Sequence, residues 1–428
     1  MEASVRRAYR TATQQLGIEK SAEQRSSPWG VLRNRGFAWY FAGSVICDFG
    51  TWLQNTAQVL LAYRLSHSVL TVGLVTCAQF STPLVLGPWA GVMTDRIGGR
   101  RTLLLTEVVA ALFAGALAVL EFTGRLNESW LVVGAISSGL AFTFALPARN
   151  VTVRRLADGS QTRSAFAMDS VSYNIGRALA PPLCVLLVAT AGFGWAFACN
   201  CGSFAVFTVV LIFVGQGRAE PERRSRVQDG FVIAMREPRI LIVLLMVAAV
   251  TVAADPVLVL GPALARHVFH TSDAWSGGFI AALGCGSVFG SMRRSSHTPS
   301  LRLAATVLAG LGVCMTFFVL APTVWLSVAA AFAAGFACLI ANSETRTLLA
   351  QEAGVAREAS VMAIWAIAWA GSKPVASLAD GVLAGAIGVK LTGVLLAVPA
   401  VLPLLALPCV VWLRDRRRRM RPVATRYG

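Results

Sequence analysis

The sequence predicts an all-α integral membrane fold of twelve transmembrane helices, divided into two six-helix bundles. Three observations carry that prediction. Of the 428 residues, 56% are hydrophobic and only 14% are charged, whereas a soluble domain carries about 25% charged residues. The charges cluster between nearly uncharged runs of about twenty residues, the length that crosses a bilayer core at 1.5 Å per residue. The cations also alternate in side. With the N-terminus placed inside, inner segments hold 32 of the 38 Lys and Arg residues, and outer segments hold four, Arg64, Arg125, Arg266 and Lys390. That bias sets the orientation with both termini cytoplasmic. One missed span would scramble the alternation.

The elements follow in order. Residues 1–36 form a polar, basic cytoplasmic arm with no cleavable signal, so the first span anchors itself. The spans of the first bundle (37–214) run over 37–62, 69–92, 102–122, 130–148, 165–190 and 194–214. Residues 215–238, with "RAEPERRSRVQDG" inside them, form the longest interior connector and divide the chain six plus six. The second bundle (239–413) has spans over 239–262, 274–292, 303–320, 324–343, 359–383 and 391–413. Residues 414–428 form a basic tail, and its "RDRRRRMR" reads as an anchor on anionic lipid headgroups. Trp39, Trp130, Trp195, Trp275, Trp325 and Trp412 lie at span ends, as interface anchors do.

Several function classes are excluded on the same grounds. The net charge of +17 is spread over short connectors and the two ends rather than along one soluble face, which argues against nucleic acid as a partner. The nine cysteines all fall in apolar runs, and Cys199 and Cys201 are too closely spaced for a zinc site. His267 and His270 offer only two ligands in an outer loop, so no metal is expected. No nucleotide-binding loop of the form G-x-x-x-x-G-K-[ST] occurs. No nucleophile–base arrangement marks an enzyme. Uphill transport would therefore draw on an ion gradient or another solute, with no cofactor.

The connector "GVMTDRIGGRR", Gly91 to Arg101, joins the second and third spans. It resembles the signature loop of the major facilitator superfamily, G-x-x-x-D-R-x-G-R-R. Gly91, Asp95, Arg96, Gly98, Arg100 and Arg101 match, with Gly98-Gly99 lengthening the usual single-glycine spacing. Gly91 is expected to let two helices approach closely, and Gly98 and Gly99 to supply a reversal with positive φ. The resemblance covers about Trp39 to Leu413 and is similar to the drug and siderophore exporter branch. Its pointers are "CDFGTWLQ", the Pro147–Arg149 "PAR", "NIGRALAPPL" and "DPVLVLGPALARHVF". It implies a pseudo-two-fold arrangement of the bundles and a gating role for Asp95 near the start of the eleventh span, around Arg357 to Ser360. The second-half copy of the loop, "GSMRRSSH", has lost its acid. The fourth span carries only Arg149, at its inner end, where proton-driven drug antiporters have an arginine in mid-membrane.

Four charges lie deep, at Asp48, Arg177, Asp255 and Lys373. A charge at the bilayer centre costs about 2.5–3.5 kcal/mol on insertion scales, so each asks for a reason. Each half supplies one aspartate from its first helix and one cation from its fifth; the family it resembles has these helices as neighbours lining the central cavity, which implies the pairs Asp48–Arg177 and Asp255–Lys373. Such pairs serve either to hold each bundle together or to couple protons. At 100° per residue, Asp48, Thr51, Trp52, Asn55 and Gln58 share one face of the first span; Asp169, Tyr173 and Arg177 share one of the fifth. Trp365, Trp369, Lys373 and Asp380 share one of the eleventh, with Pro374 placed to kink it. Polar groups walled by aromatics suit an amphipathic organic ligand. Glu107, one to two turns into the third span, is expected to find a local partner near the cytoplasmic edge.

These features predict a proton-coupled exporter of an amphipathic small molecule, such as a drug, siderophore or secondary metabolite. Asp48 is the first choice for the proton site and Asp255 the second. A gradient-independent facilitator or importer, and a non-transporting scaffold or sensor, are the alternatives. The chain is expected to act as a monomer in a bacterial inner membrane, the excess of Arg over Lys (35 to 3) suggesting a GC-rich genome.

Overall fold

The computed structural model describes residues 28–157, 161–215, 235, 237–272, 274–292, 300–353 and 358–419. Most of the N-terminal arm, nearly all of the central connector, the loop residues 293–299, Arg357 and the end of the basic tail therefore lie outside the described residues.

After a short 3-10 turn at Pro28–Arg33, long helices follow one another. In the first half they are α1 (Arg35–Ser66), α2 (Val69–Ile97), α3 (Gly99–Phe122), α4 (Glu128–Leu156), α5 (Thr162–Ala191) and α6 (Phe193–Phe213). In the second half, α7 begins at Pro238–Ala254 and continues through Pro256–Val259, Gly261–Ala263 and Leu264–Val268. Then come α8 (Ala274–Met292), α9 (Leu301–Leu320), α10 (Val324–Ala353), α11 (Glu358–Ile387) and α12 (Val389–Arg419). Among the described residues, nine helices are long and apolar enough to cross a membrane by length and composition, and Trp275–Gly290 adds a shorter apolar helix. The two that fall outside both sets are α1 and α11, and these carry Asp48, Gln54, Asn55 and Gln58, and Lys373 and Asp380. Their polar residues dilute the hydropathy of otherwise full-length helices.

The helix ends are explained by their residues. Asn34 caps α1 by accepting from the Gly36 and Phe37 amides, and its Nδ2 donates to the Leu156 carbonyl at 2.9 Å. The start of α1 is thereby tied to the end of α4. Asn127 and Ser300 cap α4 and α9 by accepting from the amides of Trp130 and Leu303. In α7 the break falls at Asp255, because Pro256 has no N–H to continue the ladder. The polar linkage there is taken up by the Leu258 and Val259 amides, which donate to the Asp255 carbonyl.

Within the first half, α1 packs on α5 and α6, α2 on α4, and α3 on α4 and α6. In the second, α10 packs on α8 and α9, and α9 on α12. The halves meet where α2 packs on α11 and α5 on α8. Large apolar side chains such as Leu112, Phe317 and Trp325 stand on the outside, 66–69% exposed. On a soluble protein such a belt would be an aggregation surface, whereas here it is the surface that lipid tails cover.

Close approach between the halves depends on glycine, but not on Gly91, around which a Cβ would find open space. The expectation for Gly91 is thus corrected. The near contacts are instead at Gly73, where a Cβ would lie 2.5 Å from the Ser377 carbonyl oxygen, and at Gly381, where it would lie 2.9 Å from Leu70 Cα. Both are near the end that bears the α1–α2 turn. Of the paired glycines in the α2–α3 reversal, only Gly98 has positive φ, at 94°. Gly99 instead makes room for a neighbouring helix, since a Cβ there would press on Val151 of α4 at 2.8 Å.

Candidate functional site

The fold brings Asp48 of α1 to the wall of a cavity in the first half, and its partner is Arg149 rather than Arg177. Arg149 Nη1 donates to Asp48 Oδ1 at 2.6 Å and Nη2 to Oδ2 at 3.0 Å. The same Nη2 donates to Asp169 Oδ1 of α5 at 3.1 Å. The physical reason is helix length. Since α4 runs to Leu156, Arg149 is seven residues inside it and its guanidinium faces the bundle core. Ser172 of α5 donates to Asp48 Oδ2 and accepts from Ser44 of α1 at 3.0 Å. Tyr40 donates its hydroxyl hydrogen to Asp169 at 3.3 Å. Gly176 allows this crowding, because a Cβ there would lie 2.8 Å from the Asp48 carbonyl. Arg177 turns away onto the face of Trp52, 5.9 Å from the ring centroid, and Trp52 meets Tyr173 edge-on at 5.6 Å.

The cavity has about 960 Å³ counting its open mouth, and every residue lining it comes from the first half, between Cys47 and Phe204. Its polar wall includes Asp48, Thr51, Asn55, Glu107, Arg149 and Tyr173. Its apolar wall includes Trp52, Phe80, Phe113, Phe142 and Phe204. Gln54 joins α4 and α6, donating to Ser138 Oγ at 3.1 Å and accepting from Asn200 at 2.8 Å, while Asn55 accepts from Gln79 of α2 at 3.0 Å. Glu107 is 3% exposed, accepts from the Cys47 thiol at 3.5 Å and lines the cavity. Its partner is thus on α1, next to Asp48, and its place is on the cavity wall rather than at the cytoplasmic edge.

The remaining expected positions lie elsewhere. Gln58 is buried beside Gly134, with neither amide atom partnered, outside the cavity lining. In the second half, Lys373 of α11 does pair with Asp255 of α7, at 3.7 Å, and Ser377 donates to the other oxygen of Asp255. Lys373 also lies 4.3 Å from the centroid of Phe80 on α2, so it reaches the edge of the first-half cavity across the interface. Trp365 and Trp369 stack at 6.4 Å, with Arg346 over Trp365 at 5.4 Å. Asp380 is fully buried.

Across the α2–α3 junction, Asp95 and Arg96 at the end of α2 and Arg101 at the start of α3 are exposed. Arg100 donates from Nε to the Leu211 carbonyl at 2.8 Å and from Nη2 to that of Ile212 at 2.6 Å, which satisfies the open carbonyls at the end of α6. The contact expected of Asp95 falls on Arg357, outside the described residues, and on 358–360, whose side chains are likewise not described. At the opposite end, Arg266 Nη1 stands 3.2 Å from His67 Nδ1 and the ring of His267 meets Tyr63 edge-on at 6.4 Å, both across the halves.

Sequence reasoning missed Arg149, Ser172 and Ser377. The one available signal for Arg149 was its distance from the next helix breaker: residues 150–156 contain neither Gly nor Pro. The two serines are small hydroxyls on helices otherwise read for charge, and nothing in their spacing set them apart.

Comparison with known proteins places these features. The sequence pattern of the transmembrane secretion effector family matches residues 26–420. The uncharacterised MFS-type transporter YfiS of Bacillus subtilis is 27% identical over 187 residues, 43% of each chain. The staphyloferrin A transporter of Staphylococcus aureus is 23% identical over 35% of this chain and 38% of its own. The putative multidrug resistance protein MdtD of Salmonella typhimurium is 26% identical over 41% and 37%. The chain thus spans about two-fifths of the length of the curated relatives it matches. Among solved structures, a point mutant of the nucleoside transporter NupG is similar in fold, with a TM-score of 0.69 at 13% identity over 87% of this chain and 98% of that one. An inward-facing bacterial homologue of the lysosomal transporter Spinster gives 0.66 at 12% identity, over 86% and 92%. The chain is a multi-pass membrane protein and belongs to the transmembrane secretion effector family of the major facilitator superfamily.

Proposed function

We propose that this chain is a secondary transporter that exports an amphipathic organic molecule in exchange for protons, by alternating access. The observation that carries the reading is the cavity walled by aromatic rings, into which Asp48 and Arg149 of the Asp48–Arg149–Asp169 cluster face. Rings bury the apolar body of a ligand and a few convergent polar groups orient it. Arg149 keeps one buried donor unpartnered, its Nε–H, for an acceptor on the ligand. Relatives named as a staphyloferrin A transporter and as a putative multidrug resistance protein support organic cargo.

Coupling follows from the cluster's geometry. Arg149 is shared between Asp48 on α1 and Asp169 on α5. A proton arriving on Asp48 removes one of the two anions, leaves the guanidinium to Asp169, and loosens α1 from α4. A change in which helices are tied is a differential interaction, and only that can shift a two-state equilibrium. With the termini cytoplasmic, the glycine contacts at Gly73 and Gly381 and the Arg266–His67 contact close the outer side, so cargo enters from within. One proton moving through about 150 mV supplies about 3.5 kcal/mol, enough to sustain a gradient of a few hundredfold for a neutral cargo. The chain works as a monomer in a bacterial inner membrane, its basic tail on anionic headgroups, with the proton gradient as its energy source and no cofactor. Substrate flux in sealed vesicles with an imposed pH gradient tests this reading. Asp48→Asn is expected to lose proton-driven flux, and full proton dependence in that variant would refute it.

A further inference from the structure

Each half sets two aspartates about one paired cation, Asp48 and Asp169 about Arg149 and Asp255 and Asp380 about Lys373, yet only the first half satisfies both acids. There, the planar fork of Arg149 gives two hydrogen bonds to Asp48 and one to Asp169. Ser172 and Tyr40 complete the two carboxylates. A guanidinium can bridge two acids, whereas an ammonium is a single point of charge. In the second half the cation is Lys373, and it faces one oxygen of Asp255 while Ser377 serves the other. Asp380 lies seven residues beyond Lys373 on α11, has no exposed surface, and among the described residues has no donor to either carboxylate oxygen. The charge that bears on it is that of Asp255, which has the same sign. An ionised carboxylate sealed in this way, with neither donor nor counterion, is the costliest state a buried acid can have.

We propose that Asp380 is a second proton site, occupied at neutral pH, in which a proton stands where the first half has the second arm of an arginine. Asp255 has partners that Asp380 lacks, Lys373 facing one oxygen and Ser377 donating to the other. A metal ion fits poorly: the cluster leaves three oxygens without a donor, Asp255 Oδ1 and the two of Asp380, while hard cations take about six. The site is wired to the cavity. Lys373 rests on the ring of Phe80, and Phe80 lines the first-half cavity, so cargo pressing on that ring acts on the ammonium that faces Asp255. This last link rests on the export reading; the protonation of Asp380 does not.

The test is infrared difference spectroscopy of the full chain in liposomes at neutral pH, reading the carbonyl stretch of a protonated carboxyl group. The band is expected in the native protein, lost in Asp380→Asn, shifted in Asp380→Glu and unchanged in Asp48→Asn. It should also be unchanged when sodium replaces choline in the buffer. A band that Asp380→Asn leaves undiminished, or that has no component moved by Asp380→Glu should the Asn variant not fold, overturns the proposal. So does a band that sodium abolishes, which would make the site a sodium site. Failure of the export reading shows separately, as proton-independent flux with this band intact.

Discussion

Replacing Arg149 by methionine keeps most of the side-chain volume and removes the guanidinium that ties α4 to α1 and α5. Three hydrogen bonds go, at 2.6, 3.0 and 3.1 Å. The pair is largely screened from solvent, with 15% of the Arg149 side chain and 6% of the Asp48 side chain exposed. Breaking a buried pair by removing one partner costs about 3–5 kcal/mol, because an uncompensated charge is left behind. The pair keeps some exposure, which puts the expected loss at the low end, about 3 kcal/mol, a factor of over a hundred in the folding equilibrium. The assay is equilibrium unfolding in mixed detergent micelles, run as a double-mutant cycle of Arg149→Met and Asp48→Asn. The double variant should recover most of the loss, giving a coupling of about 2–3 kcal/mol. The same cycle with Arg177→Met should give under about 0.5 kcal/mol, since that guanidinium lies on Trp52 and not on Asp48. A coupling for Arg177 that equals or exceeds the one for Arg149 would refute the reasoning and restore the pairing expected from helix correspondence alone.

Other predictions concern backbone, interface and cavity. Gly98→Ala should destabilise by about 1–3 kcal/mol, because φ of 94° suits glycine alone, while Gly91→Ala, facing open space, should leave the unfolding midpoint unchanged. Gly73→Val must push α11 away from α2, since its Cβ would fall 2.5 Å from the Ser377 carbonyl oxygen. In a cysteine-depleted background it should raise the labelling of a cysteine placed at Tyr63 by a membrane-impermeant thiol reagent, and unchanged labelling would count against the closed outer end. Trp52→Ala removes the edge contact with Tyr173 and the seat of Arg177. It should raise the KM for transported cargo about tenfold, the effect of losing roughly 1.4 kcal/mol of aromatic contact.

The helices were legible because a bilayer leaves few options. Backbone polar groups in hydrocarbon must be satisfied within the segment, so apolar runs of about twenty residues become helices wherever they occur. Charge placement was legible for the same reason, and the Asp255–Lys373 contact follows from it. The partner of Asp48 was not. Span boundaries read from hydropathy stop at 148, and that put Arg149 at the membrane edge, whereas the helix continues to Leu156 and holds the side chain inside. An arginine can reach across the bundle while its backbone sits well toward one end, so depth in the sequence misjudges depth of the charge. Gly91 misled in a different way. It matches the loop motif, but the contact between α2 and α11 is made about five turns earlier, at Gly73. The cavity's confinement to the first half was not legible at all, since Trp365, Trp369 and Asp380 carry the residue types of a cavity wall and differ only in what packs against them.

The central claim is that protons drive cargo outward through the Asp48–Arg149 cluster. Its most direct test is accumulation of labelled cargo in inverted vesicles holding the native chain, with the vesicle interior made acidic. Accumulation should follow the pH gradient, collapse on addition of a protonophore, and lose its gradient dependence in Asp48→Asn. Accumulation that ignores both the gradient and the protonophore in the native chain would contradict the account.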